Sequence, residues 1–333
     1  MKFRTEIEVK PFDKKIDHSS QIFLIGSCFA EVMAVMLHDA KFRIDSNPTG
    51  VLFNPASIYS TLHRFAENRL ITESDLHFAN DTWFSYDFHS QFNDCNSYYI
   101  QDNINYKIEQ GHTALTNSDW VIVTFGTAWI YTLNESGQIV ANCQKQPASN
   151  FSRRRLSVEE IVAMYDELMR GILADKQVIF TVSPVRHLGD GADENFLSKA
   201  TLKVAVAEIV ERFDNAHYFP AYEILCDDLR DYRFYDTDLV HPSIEAVWYI
   251  REKFFDAVLS KQALALLPQI EKIEQACRHR AFNKDSSAYL DFCHKQLEKI
   301  AALPQVNFES EQWYFESEID LWHQRQKNAD DSE

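Results

Sequence analysis

Residues 23–32 read FLIGSCFAEV, and the reading of this decapeptide decides the fold. The run Ile22–Ile25 (IFLI) has the length and composition of a buried strand. Gly26 marks a tight turn. Beyond Cys28, the residues Phe29, Val32, Met33, Met36 and Leu37 recur at i, i+3, i+4, i+7 and i+8, the apolar stripe of an amphipathic helix. A strand, a turn and a helix start packed so closely put Cys28 at the carboxyl edge of a central strand, where open α/β sheets bind their ligands. A thiol there faces the positive end of the following helix, which favours thiolate and offers backbone N–H groups to a developing oxyanion.

The same alternation continues outward. Trp120–Phe125 (WVIVTF) and Val178–Val182 (VIFTV) read as further buried central strands, and Lys41–Ile44 and His217–Phe219 as shorter, lateral ones. Ser157 precedes Glu160 by three residues, a capping box, and Ile161, Met164, Tyr165 and Leu168 follow at helical spacing. A helix is expected over Phe196–Phe213, and another after His241, with Ile244, Val247, Phe254 and Val258 on one face. The pattern predicts an α/β three-layer sandwich over residues 1–260, built on a mostly parallel sheet of about five strands. Residues 55–115 are rich in aromatics and Asn/Asp, and a structureless loop of that length would be unusual, so small elements forming a substrate-facing cap are expected there. From residue 261 strand signals stop. Two helical patterns follow (Ile270, Ile273, Cys277; then Leu290, Cys293, Leu297, Ile300), giving a C-terminal helical extension over 261–333 with a polar, frayed or contact-making end from about His323.

Composition excludes several classes. A formal charge of −17 disfavours nucleic acid, whose binding needs Lys and Arg against phosphates. No apolar run suits a signal peptide or a membrane span, so a cytoplasmic protein without membrane contact is expected. The six cysteines (28, 95, 143, 226, 277 and 293) are scattered without a C-x-x-C pair, and read as reduced thiols rather than disulfides or a zinc site. Gly189–Glu194 lacks the alternating Asp/Asn of a calcium loop, and no phosphate-binding glycine loop occurs. No metal and no resident cofactor is expected. Nothing in the sequence specifies the oligomeric state.

A second motif lies near the far end of the predicted sheet. Asp238 and His241, three residues apart in the loop before a helix, can place the carboxylate on Nδ1–H and leave Nε2 free as a base. Taken alone, this motif is weak evidence, since chance often produces it, and a surface loop is its default reading.

Together the two motifs resemble the first and last sequence blocks of SGNH/GDSL hydrolases. More narrowly, Gly26-Ser27-Cys28-Phe29-Ala30 is the pentapeptide that names the GSCFA family. Asn47-Pro48-Thr49-Gly50-Val51, Asn54-Pro55 and Ser183-Pro184-Val185-Arg186-His187 also look like segments of that family, and the resemblance covers about residues 20–255. It implies a flavodoxin-like SGNH fold. It further implies Cys28 as nucleophile in place of serine, His241 as base, Asp238 as its orienter, and Gly50, Gly126 and Thr127 around the oxyanion. The third block departs from the pattern, because Ala128 stands where the superfamily has an asparagine donor. Losing such a donor typically costs about 10²–10³ in rate.

The activity that the resemblance implies is hydrolysis of an acyl ester, of a carbohydrate by analogy with the superfamily. Acyl transfer from a coenzyme A thioester used as co-substrate is the close alternative, because a cysteine acyl-enzyme can pass its acyl group to acceptors other than water. A non-catalytic ligand-binding module on the same fold, or a scaffold acting through its helical extension, are further readings. Ser27 competes with Cys28 as nucleophile. Ser27, Asn54, His89, Arg186 and His187 are candidate substrate contacts. Arg186 either offers a fork to a carboxylate, phosphate or sugar hydroxyl pair, or pairs with an acid such as Asp190 and fixes its loop. The triplet Arg153-Arg154-Arg155 is read as a solvated loop that could instead meet an anionic group such as coenzyme phosphates.

Overall fold

A computed structural model describes residues 4–330, apart from the side chains of Asp190, Ala329 and Asp330. The chain forms two compact units: Ser20–Met36, Ile44–Ala257 and the chain up to Asp13 in the first, and Lys14–Ser19, Leu37–Arg43 and the chain from Val258 in the second.

The first unit is built on a five-stranded parallel sheet of β1 (Gln21–Gly26), β2 (Arg43–Ser46), β3 (Trp120–Phe125), β4 (Gln177–Val182) and β5 (Ala216–Phe219). Their spatial order is β5-β4-β3-β1-β2. This is the doubly wound order 2-1-3-4-5, whose connections diverge between β1 and β3 and open a crevice at their carboxyl ends. β3 is buried at every position and β1 and β4 at all but the first, the expected state of strands covered on both faces. β2 alternates exposed and half-buried residues, as an edge strand does.

Among the described residues six long helices accompany the sheet: α1 (Cys28–Asp39), α2 (Pro55–Ala66), α3 (Ser97–Asn117), α4 (Val158–Arg170), α5 (Ala192–Arg212) and α6 (Ile244–Val258), with a short helical segment over Ala221–Glu223 and Ile224–Leu229 before α6. α4 starts on the expected capping box and buries Ile161, Tyr165 and Leu168. Each such side chain contributes about 1.5–3 kcal/mol on burial. α2 begins on Asn54, whose side chain accepts from the Ser57 N–H, with Pro55 pre-set at the first helical position.

The stretch 55–115 does not stand apart as a cap. Ile58, Leu62 and Phe65 of α2 and Ile100, Ile104 and Ile108 of α3 join the main core with Phe23 and Val121. Between the two helices lie a short hairpin, His77–Ala79 with Thr82–Phe84, and two 3-10 turns, Glu73–Asp75 and Ser90–Phe92. The arginine triplet also differs from its reading as a loop: Phe151–Arg155 is a strand, paired antiparallel with Trp129–Leu133. Arg154 is held bidentately by Glu160 at 2.8 and 2.9 Å. Arg153 lies over the Trp129 ring, 4.1 Å from its centroid.

The second unit holds three helices, α7 (Lys261–Arg278), α8 (Ser287–Ala301) and α9 (Glu309–Asp330), around Leu266, Ile270, Ile273, Cys293 and Phe315. α9 has no counterpart in the sequence reading, because polar residues dilute its apolar positions. His323 lies within it, and the preceding Trp322 donates its indole N–H to the Asp285 carbonyl at 3.0 Å. Lys41 bonds Glu274 and Glu311 at 2.7 and 2.6 Å.

Candidate functional site

The site starts where β1 ends. Gly26 adopts a positive φ of 138°, and a Cβ there would lie 2.1 Å from the Thr124 carbonyl oxygen of the neighbouring strand. Only glycine allows β1 to turn this close to β3. The Gly26 N–H donates to Asn47 Oδ1 at 2.9 Å and its carbonyl accepts from Leu52 N, so the following loop wraps the turn. The sharp turn leaves Ser27 buried, its Oγ accepting from Phe29 N at 3.4 Å, and brings the half-buried Cys28 to the first position of α1.

Across the sheet edge, the loop after Phe234 returns His241. Asp238 Oδ1 accepts from the N–H groups of Val240 and His241 at 2.8 and 3.0 Å, and Oδ2 meets His241 Nδ1 at 2.6 Å. These bonds, with the one to His241 Nδ1 foremost, pull the Asp238 carboxyl down to about 2, so it stays ionised at any ordinary pH. An ionised Asp238 keeps the proton on Nδ1 and turns Nε2 outward as an acceptor. That Nε2 lies 3.9 Å from Cys28 Sγ. Arg186 braces the loop, donating Nη1–H to the Leu239 carbonyl at 3.2 Å and facing the Tyr235 ring at 5.4 Å. The alternative pairing with Asp190 concerns a side chain outside the described residues.

The stretch from β1 to α6 that carries all of this, residues 21–254, matches the GSCFA family over well more than half of the chain. The chain belongs to the GSCFA family. Residues 270–320, within the second unit, match the GSCFA domain protein, C-terminal domain. No curated protein matches the chain.

In this GSCFA chain the expected oxyanion donors are otherwise engaged. The Gly50 N–H donates to the Asn47 carbonyl at 2.8 Å, closing a turn. Gly50 is needed there for close approach, since a Cβ would meet His89 Cβ at 2.3 Å. Gly126 and Thr127 both donate their N–H groups to the Phe53 carbonyl, at 2.8 and 2.9 Å. Thr127 Oγ1 bonds Ser198 Oγ at 3.1 Å. The N–H groups that lie against the Cys28 sulfur are those of Cys28 and Phe29, at the start of α1. Two other expected contacts serve the fold: Asn54 caps α2, and His89 Nδ1 accepts from Gln91 N at 3.3 Å.

His187 is placed differently. It follows β4, its N–H donates to Asn195 Oδ1 at 2.9 Å, and its Nε2 is buried beside Gly126 without a hydrogen-bond partner among the described residues. Burial above all, then the positive charges of Lys199 and His241, hold its imidazole down to about 4, so it is neutral near pH 7. Next to it a cavity of about 380 Å³ is lined by Phe53, Asn54, Thr127, Trp129, Arg153 and His187.

Sequence reasoning missed one group of residues altogether. Asn195, Ser198 and Lys199 lie on the buried face of α5, in line with Leu202, Val206 and Ile209. Ser198 Oγ accepts from Ala128 N at 2.8 Å, and Lys199 Nζ donates to the carbonyls of Gly126 at 2.6 Å and Ser183 at 2.8 Å. These side chains tie down the ends of β3 and β4. Their signal was in the spacing: polar residues three and four positions ahead of an apolar stripe, on the same face.

The depressed His187 imidazole makes stability depend on pH. In the unfolded chain its pKa returns to about 6.5, so between pH 6.5 and 4 the unfolded state binds more protons and stability falls as pH falls. We expect urea unfolding of His187→Gln to lose less stability than wild type across that window, by on the order of 2–3 kcal/mol at its acid end. Parallel curves for the two proteins would show that His187 is no more buried from protons than an ordinary histidine.

Proposed function

We propose that this GSCFA-family protein is an acyl-ester hydrolase that works through a thioester acyl-enzyme on Cys28. The observation that carries the reading is the array Cys28 Sγ, His241 Nε2 and Asp238, with separations of 3.9 and 2.6 Å. It lies at the crevice where the connections of the sheet diverge, the usual ligand position in this topology. The two sequence blocks resemble those of SGNH/GDSL hydrolases, and the 2-1-3-4-5 strand order is compatible with the flavodoxin-like fold that the resemblance implies, which supports assigning the first unit to that superfamily.

In the first half-reaction the Cys28 proton passes to His241 Nε2, and the thiolate attacks the ester carbonyl carbon. Collapse of the tetrahedral intermediate breaks the carbon–oxygen bond, and the leaving alkoxide takes the proton back from Nε2. In the second half-reaction His241 deprotonates a water, which displaces the thiolate and releases the acid. The Cys28 and Phe29 N–H groups are the donors we assign to the oxyanion, in place of Gly50, Gly126 and Thr127. The cavity beside His187, which Cys28 and His241 do not themselves line, is of a size that holds a small ligand, with Trp129 as an aromatic wall.

Acyl transfer from a coenzyme A thioester is the second reading, favoured by Arg153, which lines that cavity and would suit an anionic donor. Intact-protein mass spectrometry after incubation with acyl-coenzyme A thioesters and activated esters tests both readings. An acyl adduct that forms on wild type and Ser27→Ala but not on Cys28→Ala is the expected result. A donor restricted to coenzyme A thioesters would make the protein a transferase. If no donor acylates the wild type, a ligand-binding module takes the place of the enzyme reading.

A further inference from the structure

Leu239, between the acid and the base, has a left-handed backbone with a φ of 57°. A bulky residue rarely adopts that conformation, and it persists only where the surroundings hold it. The reversal turns the next two N–H groups, those of Val240 and His241, back onto Asp238 Oδ1. The Leu239 side chain contributes little to holding it, being 47% exposed. Its N–H closes a turn on the Asp236 carbonyl at 2.9 Å, a contact inside the same loop. A hold from outside the loop comes from Arg186. Its backbone N–H donates to the Val240 carbonyl at 3.1 Å and its Nη1–H to the Leu239 carbonyl at 3.2 Å, so one residue binds the carbonyls of both residues that separate Asp238 from His241.

We propose that Arg186 is the positioning residue of the Asp238–His241 pair: it pins the left-handed turn at Leu239 and so fixes His241 Nε2 over Cys28. The inference rests on the roles of base and nucleophile assigned to His241 and Cys28 above. The bonds that Asp238 accepts give the pair its internal shape, yet all three lie within residues 238–241. They do not set where the pair sits over the sheet. Cys28 starts α1 at the end of β1, so a tie from the loop to the sheet governs the 3.9 Å separation of sulfur and Nε2.

Arg186 suits that tie because its own segment is fixed on both sides. Before it, the Ser183 N–H donates to the Phe125 carbonyl of β3 at 2.8 Å and the Val185 N–H to Ser183 Oγ at 3.2 Å, and both residues are buried. After it, the His187 N–H donates to Asn195 Oδ1 of α5 at 2.9 Å. The guanidinium lies 5.4 Å from the Tyr235 ring centroid and 6.0 Å from that of Tyr232, where cation–π attraction steadies it against the base of the loop. Tyr235 pairs there with Pro242 in an antiparallel bridge. A bond from a guanidinium to a carbonyl is charge-assisted and directional, so its loss frees the Leu239 turn to relax.

The test is single-turnover acylation of Cys28 by p-nitrophenyl acetate, followed by quenched mass spectrometry in wild type, Arg186→Met, Arg186→Lys, His241→Ala and the variant carrying both Arg186→Met and His241→Ala. Arg186→Met is expected to lower the limiting rate by about tenfold, with the half-saturating ester concentration within about twofold of wild type. Arg186→Lys should recover part of the loss, because it restores a charged donor without the planar fork. In the His241→Ala background Arg186→Met should add no further loss, since a residue that acts only through His241 has nothing left to position. A loss that persists in that background, a change in half-saturating concentration alone, or an Arg186→Met rate equal to wild type overturns the proposal. If Arg186→Met does not fold, Arg186→Lys takes its place in the same cycle, with a smaller loss that should again vanish in the His241→Ala background. If the wild type takes no acyl group, the hydrolase reading fails by itself and amide hydrogen exchange decides the inference. Exchange of the Val240 and His241 N–H groups should then be faster in Arg186→Met than in wild type, and equal rates overturn the positioning role.

Discussion

His241→Ala is expected to slow acylation of Cys28 by about 10²–10⁴-fold, the usual contribution of a positioned general base. The geometry gives the reason. With Nε2 at 3.9 Å from sulfur, the imidazole is within reach of the thiol proton, and no other basic side chain among the described residues is hydrogen-bonded to Cys28. His187 Nε2 is buried beside Gly126 and makes no hydrogen bond to the sulfur among the described residues. Asp238→Asn should approach the same loss. An amide facing Nδ1 can donate to it and select the tautomer protonated on Nε2, which cannot accept from the thiol. Single-turnover acylation rates, measured by quenched mass spectrometry at one pH, compare the three proteins. Rates within threefold of wild type in both variants would mean that Cys28 reacts without His241.

Gly26→Ala should cause the largest loss of stability of any single methyl addition in the first unit, more than about 4 kcal/mol. The added Cβ would sit 2.1 Å from the Thr124 carbonyl oxygen, an atom of the buried central strand β3, and the residue would have to hold a φ of 138°. Neither partner can give way, because Thr124 is paired in register with Gly26 in the parallel sheet. Gly50→Ala makes the informative comparison. Its Cβ would meet His89 Cβ at 2.3 Å, a half-buried side chain outside the central sheet rather than the backbone of a buried strand, so a smaller loss is expected. Urea unfolding of the two variants beside wild type measures both. Equal losses would mean that the β1 turn is more plastic than its packing suggests.

The local part of this protein was legible in its sequence. A strand that is buried throughout reads as an unbroken apolar run, which is why β3 and β4 could be placed within a residue or two. A capping box is a contact across three residues, so Ser157 and Glu160 declare it wherever the helix packs. The Asp238–His241 pair is of the same kind, since residues three apart in a loop can meet without help from the rest of the chain. Gly26 marks the turn because backbone sterics admit few alternatives at a strand-to-helix corner.

What the sequence could not contain is which distant groups would compete for the same atoms. Cys28 and His241 are 213 positions apart, and their approach depends on the order of five strands. The Phe53 carbonyl takes the N–H groups of Gly126 and Thr127, and a turn takes that of Gly50, so residues that a motif assigns to an oxyanion are spent on the backbone. Lys199 reads as one more helix residue until α5 presses it against the ends of β3 and β4. Spacing fixes contacts within a turn or a loop, where chain connectivity holds the partners together. Contacts across the sheet are settled only when the whole core closes, and the approach of His241 to Cys28 is one of them.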